Sequence, residues 1–402
     1  MPWKETSPME QRLAFVVEWS RHENGMAELC RMFGISRKTG YQLIAQFQAA
    51  GVDGLKPRSR APHQHPNAIT EAVCAAVIRA KARHPSWGPK KLQPLAEEDD
   101  AIKQQWPVAS TRGAILARAG LVVPRRRARP HVPARTQPFG SVEAANQTWC
   151  ADFKGWFRTA DGVRCDPLTI TDAYSRVLLR CQALHHGIES QYVRPVFEAA
   201  FREYGLPQRL RTDNGTPFAT VGAGALSPLA VWWIKLGIVP ERIDPGRPNQ
   251  NGRHERLHRT LKHATAQPPA ASIRAQQQRF DHFRHEYNCE RPHEALGQDT
   301  PISWYTVSSR AYPRRLEEPT YPDADQVRQV RHNGEIRWSS STIYVSRMLI
   351  GEPVGIYEDA DGWLVRYGPV DLGVLDPANN RLREKQPRRS GSWHRRGHRT
   401  DR

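Results

Sequence analysis

The sequence predicts a multidomain chain, with all-α helix-turn-helix modules first, an α/β domain in the centre and a small β-barrel at the C-terminal end. Three observations carry that expectation. Residues 26–48 place apolar side chains at helical spacing on either side of Gly34, residues 150–239 alternate strand-like and helix-like runs, and beyond Pro313 short alternating runs are separated by Asn333-Gly334 and Asp361-Gly362. At 402 residues the chain exceeds one ordinary domain. Its net charge of +18 suits a polyanionic partner, since each neutralised phosphate releases a condensed counterion. The bland alternative is a basic, solvated surface.

The first domain is expected over residues 1–60. Met26 to Phe33 has helical periodicity, Gly34 suits a tight turn, and Ser36 is a good N-cap for a helix over about residues 37–48 that buries Tyr41, Ile44 and Phe47. Arg37 and Lys38 open that recognition helix and are candidate DNA contacts. Gly40 within it costs about 1 kcal/mol relative to alanine. A second helical domain follows over 61–123, with Thr70 capping a helix through Ala82, a break at 84–89, a restart at Lys90 and an apolar run after Arg112. It is either another DNA-reading module or a packing one. Residues 124–140 form a proline-rich linker without acids in its basic stretch, where Arg125, Arg126 and Arg127 are candidate phosphate contacts.

The central domain, 141–308, reads as three strands in a meander, then helix, strand, helix, strand, helix. That is the order of a ribonuclease-H-like fold. A linker at 309–324, a small antiparallel barrel at 325–378 and a basic tail at 379–402 complete the chain.

Three acids stand out in the centre: Asp152 on the first strand, Asp213 just past the fourth, and Glu255 on the helix after the Pro248 to Gly252 stretch. Gathered by folding, they make an oxygen-only site suited to two magnesium ions, hard cations that keep waters of their own. Two such ions suit an in-line displacement at phosphorus, one at the attacking oxygen and one at the leaving oxygen. Glu255, Arg259 and Lys262 fall at i, i+4 and i+7, hence on one helix face, which places two cations beside the acid for DNA backbone. The plainer reading of that face is an intrahelical Glu–Arg pair, worth about 0.3–0.5 kcal/mol.

The stretches DPGRPNQNGRHERLHRTLK, TDNG, WCADF and YNCERPHEALGQDTP (Tyr287 to Pro301) resemble the insertion-sequence DDE transposases with a retroviral-integrase-type core. The resemblance covers about residues 140–308. It implies that Asp152, Asp213 and Glu255 are the catalytic metal triad, binding two Mg²⁺ with Mn²⁺ able to substitute, and that Arg259 and Lys262 contact transposon-end DNA. It further implies a transposase that binds terminal inverted repeats, cleaves 3′ ends and joins them to target DNA, acting as at least a dimer on double-stranded DNA. Tyr287, Asn288, Arg291, Pro292 and His293 match the family's post-catalytic motif, expected mainly to lock the core, with His293 within reach of DNA. One departure is the spacing: forty-one residues separate Asp213 from Glu255, where the family usually has thirty-five. The surplus falls in residues 218–228, expected as a projecting loop.

Two other classes compete. A catalytically silent DNA-binding regulator derived from a transposase would keep the helix-turn-helix. A zinc peptidase would use the literal H-E-x-x-H match at His254, Glu255 and His258. It leaves Asp152, Asp213 and the positive charge without roles. Six cysteines without a C-x-x-C pair, no signal-peptide core and no long apolar run predict a soluble protein of the bacterial cytoplasm, nucleoid-associated when on DNA, with no membrane partner.

Overall fold

The computed structural model describes residues 7–56, 68–95, 103–122, 142–243 and 252–384, in two compact units that divide after Thr70. The linker arginines Arg125, Arg126 and Arg127, the stretch before Gly252 and most of the basic tail lie outside the described residues.

The first unit holds α1 (Pro8–Ser20), α2 (Met26–Met32) and α3 (Arg37–Ala50). A capping box opens α1: the Glu10 N–H donates to Ser7 Oγ and the Ser7 N–H to Glu10 Oε2. The Ser7-to-Glu10 spacing signals that helix in the sequence. Gly34, at φ +61, ends α2, and Ser36 caps α3 by accepting from the Thr39 N–H. Phe15, Val16, Leu29, Cys30, Leu43 and Ile44 make the core. Gly40 lies where α3 crosses α2, and a β-carbon there would stand 2.6 Å from Cys30 Sγ and 3.1 Å from the Phe15 ring. The propensity cost of this glycine is offset by close helix approach. Tyr41 departs from expectation. It is 61% exposed, because the inward stripe runs Gly40, Leu43, Ile44, Phe47, and Tyr41 turns with Arg37 and Lys38 toward solvent.

The second unit begins with α4 (Glu71–Arg83) and α5 (Ala109–Arg118), joined through a short 3₁₀ turn at Pro89–Leu92 where a helix restart was expected. Its central sheet contains β1 (Thr148–Phe153), β2 (Phe157–Arg158), β3 (Arg164–Asp172), β4 (Leu178–Leu184), β5 (Arg209–Thr212) and β6 (Val239–Arg242). The order runs β4-β3-β1-β5-β6, with β2 on β3. The β1, β3 and β4 strands are antiparallel, while β5 and β6 run parallel to β1. Helices α6 (Ser190–Tyr204) and α7 (Pro228–Lys235) bury Phe197, Phe201, Trp232 and Trp233 on one side. On the other, α8 (Gly252–Thr265) and α9 (Ile273–His285) pack Leu257, Leu261, Phe280 and Phe283 against Cys165, Leu178 and Cys181. The ribonuclease-H-like order is therefore present.

Seven further strands, β7 (Gln326–Gln329), β8 (Glu335–Trp338), β9 (Ser341–Tyr344), β10 (Pro353–Asp359), β11 (Gly362–Tyr367), β12 (Val370–Asp376) and β13 (Arg381–Arg383), form a sheet ordered β7-β10-β11-β12-β13-β9-β8. Its two edge strands are consecutive in the chain and joined by a turn in which the Arg331 N–H donates to the Glu335 carbonyl, so the sheet curls nearly to closure. The 218–228 loop does not project freely. Phe218 and Leu226 are buried, and Gly224 sits at φ +60 where a β-carbon would meet Leu372 of β12 at 2.8 Å. Among the described residues, no helix is long and apolar enough to cross a membrane.

Candidate catalytic face and its supporting contacts

The register of β1 against β5 governs the site. Thr148, Trp149 and Cys150 lie opposite Arg209, Leu210 and Arg211 in parallel. Asp152 lies two residues beyond Cys150 on β1, and Asp213 lies two residues beyond Arg211, one past the end of β5. Asp213 leaves the sheet in a turn held by the Gly215 N–H, which donates to Asp213 Oδ1 at 3.2 Å, and by Asn214 Nδ2, which donates to the Ile243 carbonyl at 2.8 Å. Behind it, Arg211 and Arg209 both pair with Glu241 of β6, so Arg211 serves the sheet.

The α8 helix meets β1 through two histidines. His254 Nε2 lies 3.0 Å and His258 Nε2 2.8 Å from the Thr169 hydroxyl, on β3 directly opposite Asp152. That hydroxyl also donates to the Asp152 carbonyl at 3.2 Å. One hydroxyl can accept from both rings while donating once, so the network closes when each imidazole carries its proton on Nε2. His258 Nδ1 stands 3.9 Å from Asp152 Oδ2. Burial holds both rings neutral: it lowers His254 to about 4, and it lowers His258 to about 2 with help from His254 and Lys154. The H-E-x-x-H match is thereby accounted for by packing, since both Nε2 atoms that a zinc ion would need point at one threonine.

The opposite face of α8 is exposed and carries Glu255, Arg259 and Lys262. Glu255 stands less than one turn before His258, whose ring touches Asp152. Among the described residues, no three His, Cys, Asp or Glu side chains converge closely enough to hold a metal ion. The register of β1 on β5 leads toward Asp152 and Asp213, and the helix of Glu255 is bonded through His254 and His258 to Thr169 opposite Asp152, without the three acids closing around one point. The donor chemistry nonetheless fits a hard divalent cation, because all three groups are carboxylates. The Cys150 thiol is pushed up to about 11 by burial, which removes it as a thiolate nucleophile.

The Tyr287 to Pro301 motif supports this face from two directions. Asn288 pairs like a strand residue with β4, accepting from the Leu178 N–H at 2.8 Å and donating to the Leu178 carbonyl at 3.0 Å. Its outer side is a socket for the 84–91 segment. Trp87, 1% exposed, donates its indole N–H to Glu286 Oε1 at 2.8 Å, with His84 stacked on the indole at 3.9 Å. Lys91 donates to the Pro292 carbonyl, Lys90 pairs with Glu294 at 2.8 Å, and Arg291 reaches Ser86. His293 lies edge-on to Tyr287, and burial, followed by the nearby charges of Lys91, Arg291 and Arg176, lowers it to about 3. Sequence reading missed Trp87 and Glu286, which are 199 residues apart. In the other unit, Arg37 and Lys38 are exposed in the first turn of α3 with Tyr41 beside them.

Four family models match the chain. An integrase core domain matches residues 142–248 and a second integrase core domain model matches 236–301, while a helix-turn-helix domain matches 11–63 and a homeodomain-like domain 39–116. A 31.7 kDa protein of insertion element IS407 from Burkholderia multivorans is 26% identical over 295 residues, covering 70% of this chain and 90% of that protein. A 39.2 kDa protein of insertion element IS476 from Xanthomonas euvesicatoria is 25% identical over 276 residues, covering 67% of this chain and 75% of that one. The HTLV-2 integrase catalytic core domain, solved in complex with magnesium, is 14% identical with a TM-score of 0.32, over 40% of this chain and 98% of that one. With integrase-core models covering the strands and helix that bear Asp152, Asp213 and Glu255, helix-turn-helix models ahead of them and insertion elements as the source of its relatives, these matches support an insertion-sequence transposase with an integrase-type core.

Proposed function

We propose that this chain binds the terminal inverted repeats of its element, cleaves their 3′ strands and joins them to target DNA. Asp152, Asp213 and Glu255 would be the catalytic and metal-holding residues. The observation that supports the reading is the parallel register of β1 on β5, in which Cys150 lies opposite Arg211, each two residues before its acid. Two magnesium ions, with manganese as a substitute, would supply charge neutralisation at the attacking and leaving oxygens of an in-line displacement. The chain's own residues do the rest. Thr169, His254 and His258 fix the strand and helix that present the acids, and the Gly215 N–H orients Asp213. Arg259 and Lys262, exposed beside Glu255, would hold DNA backbone phosphates. Arg37, Lys38 and Tyr41 on the exposed face of α3 would read the element ends, with at least two copies needed to bring two ends together. Residues 325–378 would form a small barrel seated on α7.

The test is a strand-cleavage and joining assay on element-end DNA with magnesium or manganese. Asp213→Asn and Glu255→Gln are each expected to lower both steps by more than about a hundredfold, since loss of a group merely supporting a ligand already costs about 10–100-fold. End binding should survive. Cleavage by Asp213→Asn at the wild-type rate would remove the triad. A silent regulator would instead bind the ends and cleave with neither metal.

A further inference from the structure

The β1–β2 edge carries a feature that the catalytic reading does not use. Trp156 is 57% exposed, and Arg158 and Arg164 lie 5.9 and 5.1 Å from its ring. The ribbon explains their grouping. Arg158 pairs across from Arg164 and Phe157 from Cys165, so Phe157 and Cys165 point inward while Trp156, Arg158 and Arg164 share the outer face. Like charges directly opposite on a two-stranded ribbon are destabilising, and Asp166 offsets only one of them, through two bonds of 2.8 Å to Arg164. Beside the indole lies a cavity of about 150 Å³ lined by Lys154, Gly155, Trp156 and Phe157 on the strand side and by Leu261 and Lys262 on α8. Lys154 is two residues beyond Asp152, and Lys262 stands on the exposed face of Glu255. The patch therefore continues the catalytic face.

We propose that this edge is a stacking platform for an unpaired base of a DNA strand at the cleavage site, with Trp156 receiving the base. Lys154, Arg158 and Lys262 flank it for the adjoining phosphates. Charge complementarity selects the occupant: an exposed indole set among guanidinium and ammonium groups is the composition that binds single-stranded nucleic acid, by base stacking plus backbone attraction. An opened strand end is the form in which a base next to a scissile phosphate becomes available for stacking. The inference rests on the catalytic reading above and deepens it by naming the strand geometry that the site accepts.

The test uses the full chain with fluorescein-labelled oligothymidylate and with a duplex of equal length, read by anisotropy over a salt series. Trp156→Ala is expected to weaken oligothymidylate binding about tenfold or more, Trp156→Phe to retain most of it, and duplex binding to hold in both. Arg158→Gln should also weaken oligothymidylate binding and flatten its salt dependence. Thermal melting checks that each variant is folded. Wild-type oligothymidylate affinity in both Trp156→Ala and Arg158→Gln would overturn the platform. That failure would leave untouched the loss of cleavage in Asp213→Asn, whereas failure of the catalytic reading shows as cleavage by Asp213→Asn, whatever oligothymidylate does.

Discussion

The first helical module closes a core of its own, from Phe15 and Val16 through Leu29, Leu43 and Ile44, and leaves Arg37, Lys38 and Tyr41 exposed on one helix. The second turns Arg112 and Trp87 inward. Arg112, at the start of α5 where a reading helix would offer a charge to DNA, is 1% exposed and donates to the carbonyls of Pro89 and Pro107. Trp87, Lys90 and Lys91 engage Glu286, Glu294 and Pro292. Two segments of similar helical appearance thus differ in where their polar groups find partners. We read the first as the module that meets DNA and the second as a brace on the post-catalytic motif.

The largest effect should come from breaking the brace. Trp87→Ala removes a fully buried indole and leaves Glu286 without its donor, and a loss of about 3–5 kcal/mol in the stability of the second unit is expected. Hydrogen exchange should show loss of protection in α4, α5 and residues 286–294 together, with α1–α3 unchanged. Wild-type melting of this variant would show that the socket carries no stability.

The DNA side of the comparison is sharpened by charge removal in each module. Alanine at Arg37 and Lys38 should weaken element-end binding and reduce the slope of log K against log salt by about 0.9 for each phosphate that is no longer neutralised. Lys90→Ala should leave that slope alone, because its ammonium is engaged by Glu294. A slope that falls for Lys90→Ala and not for the α3 pair would exchange the roles assigned to the modules.

A smaller effect is expected with pH. His293 is held neutral to about 3 by burial among Lys91, Arg291 and Arg176, against 6.5 in the unfolded chain. Its contribution is therefore complete above about 6.5 and is lost as pH falls toward 3. Between those limits the unfolded state binds one more proton, so stability of the second unit should drop by up to about 1.4 kcal/mol per pH unit. Melting across that range should show a shallower slope for His293→Asn, and equal slopes would place the acid sensitivity elsewhere.

Much of this was legible in sequence because local signals and global fold agree. The capped start of α3, the apolar strands around Asp152 and the turn glycines each specify their own element. The interval of sixty-one residues between Asp152 and Asp213 equals the register offset of β1 against β5. Nothing in the sequence states that register, yet a parallel neighbour with its acid just past the strand end requires it. The brace was not legible, since 199 residues separate Trp87 from Glu286 and each alone reads as an ordinary loop or helix residue. Tyr41 was misassigned for a different reason. Ile44 and Phe47 face the core as expected, but in the first turn the inward position is Gly40, pressed on Cys30, and Tyr41 lies one position outside it.

The phase of α3 is open to a direct test in which two small terms oppose one another. Gly40→Ala on a solvent-facing position would stabilise α3 by roughly 1 kcal/mol through helix propensity. At the crossing with α2 the new methyl instead meets Cys30 Sγ at 2.6 Å, Phe15 at 3.1 Å and Met26 Sδ at 3.2 Å, and forcing extra volume into a packed site costs about 1–3 kcal/mol. The packing cost wins by about 1 kcal/mol if the thioether and thiol cannot shift. Melting of the first unit should therefore fall slightly for Gly40→Ala and recover when Cys30→Ala is added, because that second change removes the nearest atom. A gain in stability from Gly40→Ala alone would mean that α3 is rotated about its axis, with Gly40 turned away from α2, and Arg37, Lys38 and Tyr41 would then no longer share the face assigned to DNA.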